Sequence, residues 1–214
     1  AEESSRFSDY CGDKGTLLVW SKCDRLLKKS YSEPGGAQEK SAIKRLSNNL
    51  IDHLALVYYR FLDSSDKRAN NVNIFVNDIL VKAWNPFFPE KSDQVLSEER
   101  QKIVCVLQTG EEQQAGIKAW ILPHKNDLTE EDRDKAKISN KGQGFYVFRE
   151  NRLIHSGDWL GIHSWGSLEP HMSLLRIEFD FNYLLDEAFM VDVKKSRILL
   201  DPELEDYVQK VLTP

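Results

Sequence analysis

Cysteine is scarce, with three residues in 214, Cys11, Cys23 and Cys105. An odd, widely spaced set without a Cys-x-x-Cys pair cannot staple a small secreted scaffold and does not suit structural zinc. The thiols read as small hydrophobes in a reducing compartment, so a cytoplasmic location is expected. No stretch approaches ~18 uninterrupted apolar residues, and no membrane-spanning helix is expected. Residues Ala1 to Asp9 are polar and lack the apolar run of a secretory signal. Internal repeats with a period of ~20 to 50 residues are missing too. Basic side chains are the minority, 29 against 34 acidic, for a net charge of −5. That excludes a generally basic nucleic-acid binder and leaves only a local basic patch for such a role.

What remains is an ordinary globular composition, 41% hydrophobic and 29% charged, long enough for one large domain or two small ones. Gly15-Thr-Leu-Leu-Val-Trp20 is a short β-favouring run, and the turn-rich segment Ser30 to Gly36 reads as a linker. A helix is expected over about 39–62, because Leu46, Leu50, Leu54, Val57, Tyr58 and Phe61 recur at three- and four-residue steps.

Strand patterns follow. Val72–Val76 alternates and Asn77-Asp78 is a hairpin turn into Ile79–Ala83, which Asn85-Pro-Phe-Phe-Pro89 stops. Ile103–Leu107 and Ile117–Leu122 read as strands separated by the polar turn Thr109–Ala115, and Leu128–Lys137 as an acidic, solvated helix. Gly144–Arg149 and Arg152–Ile154 flank a tight turn at Glu150-Asn151. Leu174–Phe181 alternates strictly, Phe189–Val193 is a shorter strand, and Asp201-Pro202 opens a final helix. The class is α+β, and the strands from Val72 to Val193 are expected in one mostly antiparallel sheet with flanking helices.

Catalytic signatures are few. The five histidines include His155, His163 and His171 at eight-residue steps, which is not a metal-ligand spacing. There is no Gly-x-Ser-x-Gly elbow and no glycine-rich phosphate loop; Gly142-Gln-Gly144 is too short for one. Arg149 and Arg152 beside their turn could meet phosphate but read as solvated charges, and Trp159 and Trp165 stand among glycines as core or partner contacts. As a stand-alone enzyme the chain is poorly equipped.

Three segments together carry a resemblance. Gly15–Trp20, continuing Ser-Lys-Cys-Asp-Arg25, resembles the last strand and exit of a Bergerat-fold (GHKL) ATPase domain. Gly144-Phe-Tyr-Val-Phe-Arg-Glu-Asn-Arg-Leu-Ile154 resembles a hairpin of the domain that follows the ATPase in MORC-type proteins. Val191-Asp-Val-Lys-Lys-Ser196 resembles a strand and lysine loop late in that domain, and MutL-type ATPases carry a similar strand before a phosphate-sensing lysine. The superfamily also includes the heat-shock-ninety and gyrase-B types.

The resemblance implies a transducer domain over 37–214, with 1–36 as exit strand and linker from an upstream ATPase domain. Its fold would be like the second domain of ribosomal protein S-five, with a left-handed βαβ crossover, an exception to the right-handed rule. It further implies that Lys195 or Lys194, with Arg197 as the outsider, senses the γ-phosphate of ATP held next door, where a cation is worth most against concentrated phosphate charge. This chain is then expected to hold no cofactor of its own and not to be an enzyme, while the intact protein uses ATP and magnesium. In such ATPases an asparagine binds magnesium, a glutamate four residues earlier activates water, and an Asp-x-Gly-x-Gly aspartate reads adenine. Asn49 and Asp52 imitate the first motif, but the residue four before Asn49 is Arg45, which cannot act as a base, and no Asp-x-Gly-x-Gly follows. The implied partner is the upstream domain of the same chain, a homodimer is among the assemblies the resemblance allows, and the client is open. An autonomous domain that binds nucleic acid or protein is the alternative.

Overall fold

The alternation of Leu-Arg-Ile-Glu-Phe-Asp-Phe gives one strand, Leu175–Phe181, two unlike faces. Ile177, Phe179 and Phe181 point to one side and Arg176, Glu178 and Asp180 to the other. That strand is central to the sheet in a computed structural model that describes residues 14–20, 27, 31, 33–107, 109–160 and 170–186, with residues 206 and 210. The chain divides into two units, Ala1–Asn48 and Asn49–Pro214.

In the first unit Gly15–Trp20 runs without a ladder partner among the described residues, and Leu18, Val19 and Trp20 are exposed. Helix α1 (Ala37–Val57) begins here and ends in the second unit. The expected helix is interrupted at Tyr58 (φ −112°, ψ 20°), and a single turn, α2 (Tyr59–Leu62), follows. The apolar stripe of α1 is buried at its C-terminal end, where Ala55 and Val57 lie, while Ile43, Leu46 and Leu50 stay exposed.

Among its described residues the second unit holds two sheets rather than the single one expected. Strands β1 (Phe75–Val76) and β2 (Ile79–Leu80) pair only with each other across Asn77-Asp78, whose φ angles of 48° and 65° make the left-handed turn that suits the twist of a hairpin. The larger sheet contains β3 (Asp93–Gln94), β4 (Lys102–Val106), β5 (Glu112–Ile121), β6 (Gly144–Arg149), β7 (Arg152–Asp158) and β8 (Leu175–Phe181). Strand β5 starts earlier than its apolar run, because Glu112 to Gln114 pair with Val106 to Val104. On its far side β5 pairs with β8, then β6 and β7 follow. All pairs are antiparallel except β6–β8. That parallel pair is linked through β7, and the described part of the link contains only a 3-10 turn at Pro170–Met172 beyond it. A βαβ crossover is thus not among the described elements. The strand and helix read after residue 186 lie outside the described residues, apart from residues 206 and 210. Among the described residues no helix is long and apolar enough to cross a membrane.

The odd-numbered face of β5, β6 and β8 packs Ala115, Ile117, Phe145, Val147, Ile177 and Phe179 with Ile103, Trp159 and Leu185. On the other face Tyr146 and Phe148 meet Tyr59, Phe87 and Leu153. Phe87 stacks on Trp120 with ring centres 6.0 Å apart and stands edge-on to Tyr146 at 5.5 Å. Helix α3 (Glu130–Ala136) is less solvated than its charges suggest: Thr129 caps it, Asp132 is buried against Lys91 (2.6 Å), and Ala136 packs with Phe88, Leu122 and Leu128.

The hairpin β6–β7 turns at Glu150-Asn151, with φ of 49° and 66°. At its open end Gly144 (φ 99°) sits against the backbone of Asp158, leaving no room for a Cβ. Gly144→Ala is expected to combine a backbone clash with a disfavoured φ and to lower stability by about 2 kcal/mol or more, read from urea unfolding midpoints. Gly35→Ala, also at positive φ but in open space, is expected to cost about 1 kcal/mol.

Candidate functional site

Tyr58 interrupts the helix just where the chain must turn Arg60 onto the charged face of β8. Arg60 is fully buried. Its Nη2 donates to Glu178 Oε1 (2.6 Å) and Asp180 Oδ2 (2.9 Å), and its Nη1 to Asp180 Oδ1 and to Asn151 Oδ1 (3.3 Å). Nε reaches the Tyr59 hydroxyl at 3.2 Å, and the guanidinium lies 3.8 Å from the ring centre of Phe148. Burial opposes the charge on Arg60, but the hydrogen bond to Asp180 and the surrounding negative charge outweigh it and hold the guanidinium above its ordinary pKa.

A second guanidinium completes the cluster. Arg68 Nη1 donates to Glu178 Oε1 (2.7 Å) and Nη2 to Asp66 Oδ2 (2.7 Å), while Asn151 Nδ2 donates to the Arg68 carbonyl at 2.8 Å. The remaining Glu178 oxygen accepts from Trp120 Nε1 at 3.1 Å. Glu178, only 3% exposed, therefore has both oxygens satisfied, which is the condition for keeping a charge inside a fold.

The same face opens beyond Asp180 into a hollow of about 400 Å³. Gly116 and Lys118 of β5 and Asp180 of β8 line it, with Glu98, Gln101 and Lys102 from the 3-10 turn Glu98–Gln101 and the start of β4. Asp180 is about a third exposed there (35%). At the opposite end of β8, Arg176 is buried with no carboxylate partner among the described residues. It donates to the carbonyls of Ala136 (2.9 Å), Lys137 (3.1 Å), Gly142 (3.1 Å) and Pro86, tying three loops to one strand, and burial pulls its pKa below the ordinary arginine value.

Lys194, Lys195 and Arg197, the residues singled out from the sequence, lie outside the described residues, as do His163 and Trp165. Arg149 is committed to Asp186 by two bonds, at 2.5 and 2.7 Å, and Arg152 lies over the ring of Tyr58 at 5.4 Å. Trp159 is buried in the apolar core. His155 bonds Asp158 at 2.8 Å, and His171 falls in the 3-10 turn Pro170–Met172. Asn49 is exposed on α1, and Asp52 pairs with Lys137 at 3.2 Å. Among the described residues no three His, Cys, Asp or Glu side chains gather as metal ligands. Sequence reasoning missed Arg60, Arg68, Glu178 and Asp180. Two signals point to three of them: an arginine inside the apolar run Tyr58-Tyr-Arg-Phe-Leu62, and the charged half of the alternation in β8; Arg68 lies in a polar stretch that carries no such signal. No protein-family model, no curated protein and no solved structure matches the chain.

Removing one partner of this buried cluster leaves the others uncompensated. Arg60→Ala is expected to cost about 3–5 kcal/mol of unfolding free energy, and Arg60→Lys to recover only part of it, because an ammonium cannot fork between Glu178 and Asp180. Denaturant titration of both variants reads the difference.

Tyr59 supplies a pH signature. Burial, reinforced by the charge of Glu178, pushes its phenol up to about 12 against the pull of Arg60 and Arg68. A raised pKa means the folded state favours the neutral phenol, so this contribution is whole below the ordinary value of 10.0 and lost as pH rises through about 12. Burial also raises the phenol of Tyr146, so ultraviolet titration is expected to show a late tyrosine component that shrinks in Tyr59→Phe without vanishing, with a fall in stability over the same window.

Proposed function

We propose that the chain is a nucleotide-state-sensing transducer module of a Bergerat-fold ATP-binding protein, working in the cytoplasm. ATP and magnesium are held by an upstream domain of the same protein, and this module relays their presence as a change in orientation. The reading rests first on the three sequence segments that resemble that superfamily.

One structural observation supports it best: apolar surface without a described partner in the N-terminal part of the chain, the part that the resemblance places next in sequence to the upstream domain. Leu18, Val19 and Trp20 are exposed in the segment that resembles the ATPase exit strand, and Ile43, Leu46 and Leu50 are exposed along α1. Apolar groups spaced at three- and four-residue steps are the mark of a helix face that expects cover. The segment resembling the family hairpin also folds as one, β6 and β7 around Glu150-Asn151. The face of the sheet behind that hairpin is held by Arg60 and Asn151, giving the module a stiff body through which orientation can be passed on.

In this mechanism Lys195, or its neighbour Lys194, forms a charge-assisted hydrogen bond to the γ-phosphate, and hydrolysis releases it. Replacing the contacting lysine by alanine in the full-length protein is expected to lower ATP turnover by about 10- to 150-fold, the equivalent of one bond of roughly 1.5–3 kcal/mol. Melting of the isolated chain is expected to stay unchanged, since on this reading the partner of the lysine lies in the other domain. Wild-type turnover in both Lys194→Ala and Lys195→Ala would remove the sensing role from this loop and move attention to Arg197. Full ATPase activity in the chain alone would sink the transducer reading itself.

A further inference from the structure

We propose that the hollow beside Asp180 is a binding site for a small zwitterion, a molecule carrying one ammonium and one carboxylate, the chemistry of a free amino acid. This goes beyond the transducer reading and does not depend on it. The case starts from Lys118. Strand register sets it directly opposite Glu178, the carboxylate that would ordinarily pair with it. Both oxygens of Glu178 are already taken by Arg60, Arg68 and Trp120, and both oxygens of Asp180 by Arg60. Lys118 is left half-buried with no hydrogen-bond or ion-pair partner among the described residues. An ammonium drawn partly out of water without a counter-charge is unfavourable, and an incoming carboxylate relieves it.

The rim carries the opposite case. Glu98 lines the same hollow, is exposed, and likewise has no partner among the described residues. Lys118 and Glu98 share the hollow without forming an ion pair with each other, so they stay further apart than direct contact. A molecule with both charges can meet both groups. A simple anion would also face the oxygens of Glu98, and a simple cation would face the ammonium of Lys118, so neither alone matches the lining.

Room for the ligand comes from Gly116, which leaves the strand bare between Lys118 and Asp180. A Cβ there would make only an ordinary contact, 3.5 Å from Asp180 Cβ, so the backbone does not demand glycine. The volume of about 400 Å³ falls within the range of small-molecule sites. Arg60 stiffens the floor by clamping Asp180, which keeps that carboxylate from swinging across to Lys118.

The test is calorimetric titration and thermal melting of the chain with a panel of standard amino acids, at fixed ionic strength. Ammonium chloride, sodium acetate and inorganic phosphate serve as single-charge probes. The expected result is saturable binding and a raised melting temperature with at least one amino acid and with none of the single-charge probes. Lys118→Gln and Glu98→Gln are each expected to weaken that binding at least about tenfold, as loss of one charged hydrogen bond implies, while leaving unliganded melting near wild type. If Lys118→Gln does not fold, Glu98→Gln carries the comparison. Saturation by acetate or phosphate alone would overturn the proposal in favour of an anion site. A rise in melting that both variants share would mark solvent-wide stabilisation, and no saturable binding across the panel would equally overturn it.

Discussion

Arg60 carries a full positive charge into a place with no access to water, and the fold around it is arranged to make that tolerable. The guanidinium needs acceptors on several sides at once, so two carboxylates of β8, the hydroxyl of Tyr59 and the amide of Asn151 must arrive together. Those partners lie up to 120 residues away along the chain. Each then has requirements of its own. Glu178 draws in Arg68 and Trp120, Arg68 draws in Asp66, and Asn151 closes on the carbonyl of Arg68. A network of this kind forms whole or not at all, because any partial version leaves a charge buried without compensation.

The sheet therefore has two cores of different character on its two faces. The odd-numbered side is apolar and held by burial, which tolerates exchange among side chains of similar volume. The even-numbered side mixes aromatic rings with fixed charges, where direction matters as well as volume. Arg176 extends the same logic to the other end of β8, collecting carbonyls from the loops at Pro86, Ala136–Lys137 and Gly142. Backbone carbonyls can satisfy the donors of an arginine without supplying a counter-charge, which is why burial there lowers its pKa whereas the carboxylates around Arg60 raise the other.

Function, on the readings proposed above, uses surface outside these packed interiors. The hollow at Asp180 lies where the charged face runs out from under Tyr59 and Phe148 and meets the solvent. The exposed apolar residues of α1 lie on the part of the helix that has no described cover. A stiff interior with unsatisfied rims is a common way for a domain to hold geometry while offering contacts.

Local chemistry already specified much of the secondary structure. Asn77-Asp78 and Asn151 mark turns because Asn and Asp tolerate positive φ, which Glu150 adopts only as the partner of Asn151 in its turn, and β8 is a strand because its residues alternate without interruption. The α+β class with a mostly antiparallel sheet follows from such short-range signals. Other features depended on contacts that no local pattern records. Thr109–Ala115 reads as a polar turn, yet Glu112 to Ala115 are drawn into β5 by pairing with β4. Leu128–Lys137 reads as a solvated helix, yet Asp132 and Ala136 are buried by Lys91 and Phe88. Alternation told that Arg176, Glu178 and Asp180 share a face, but not that Arg60 would cover it. That choice belongs to tertiary structure, because the stability of a buried charge depends on partners brought from distant parts of the chain, and sequence spacing carries no measure of their distance in space.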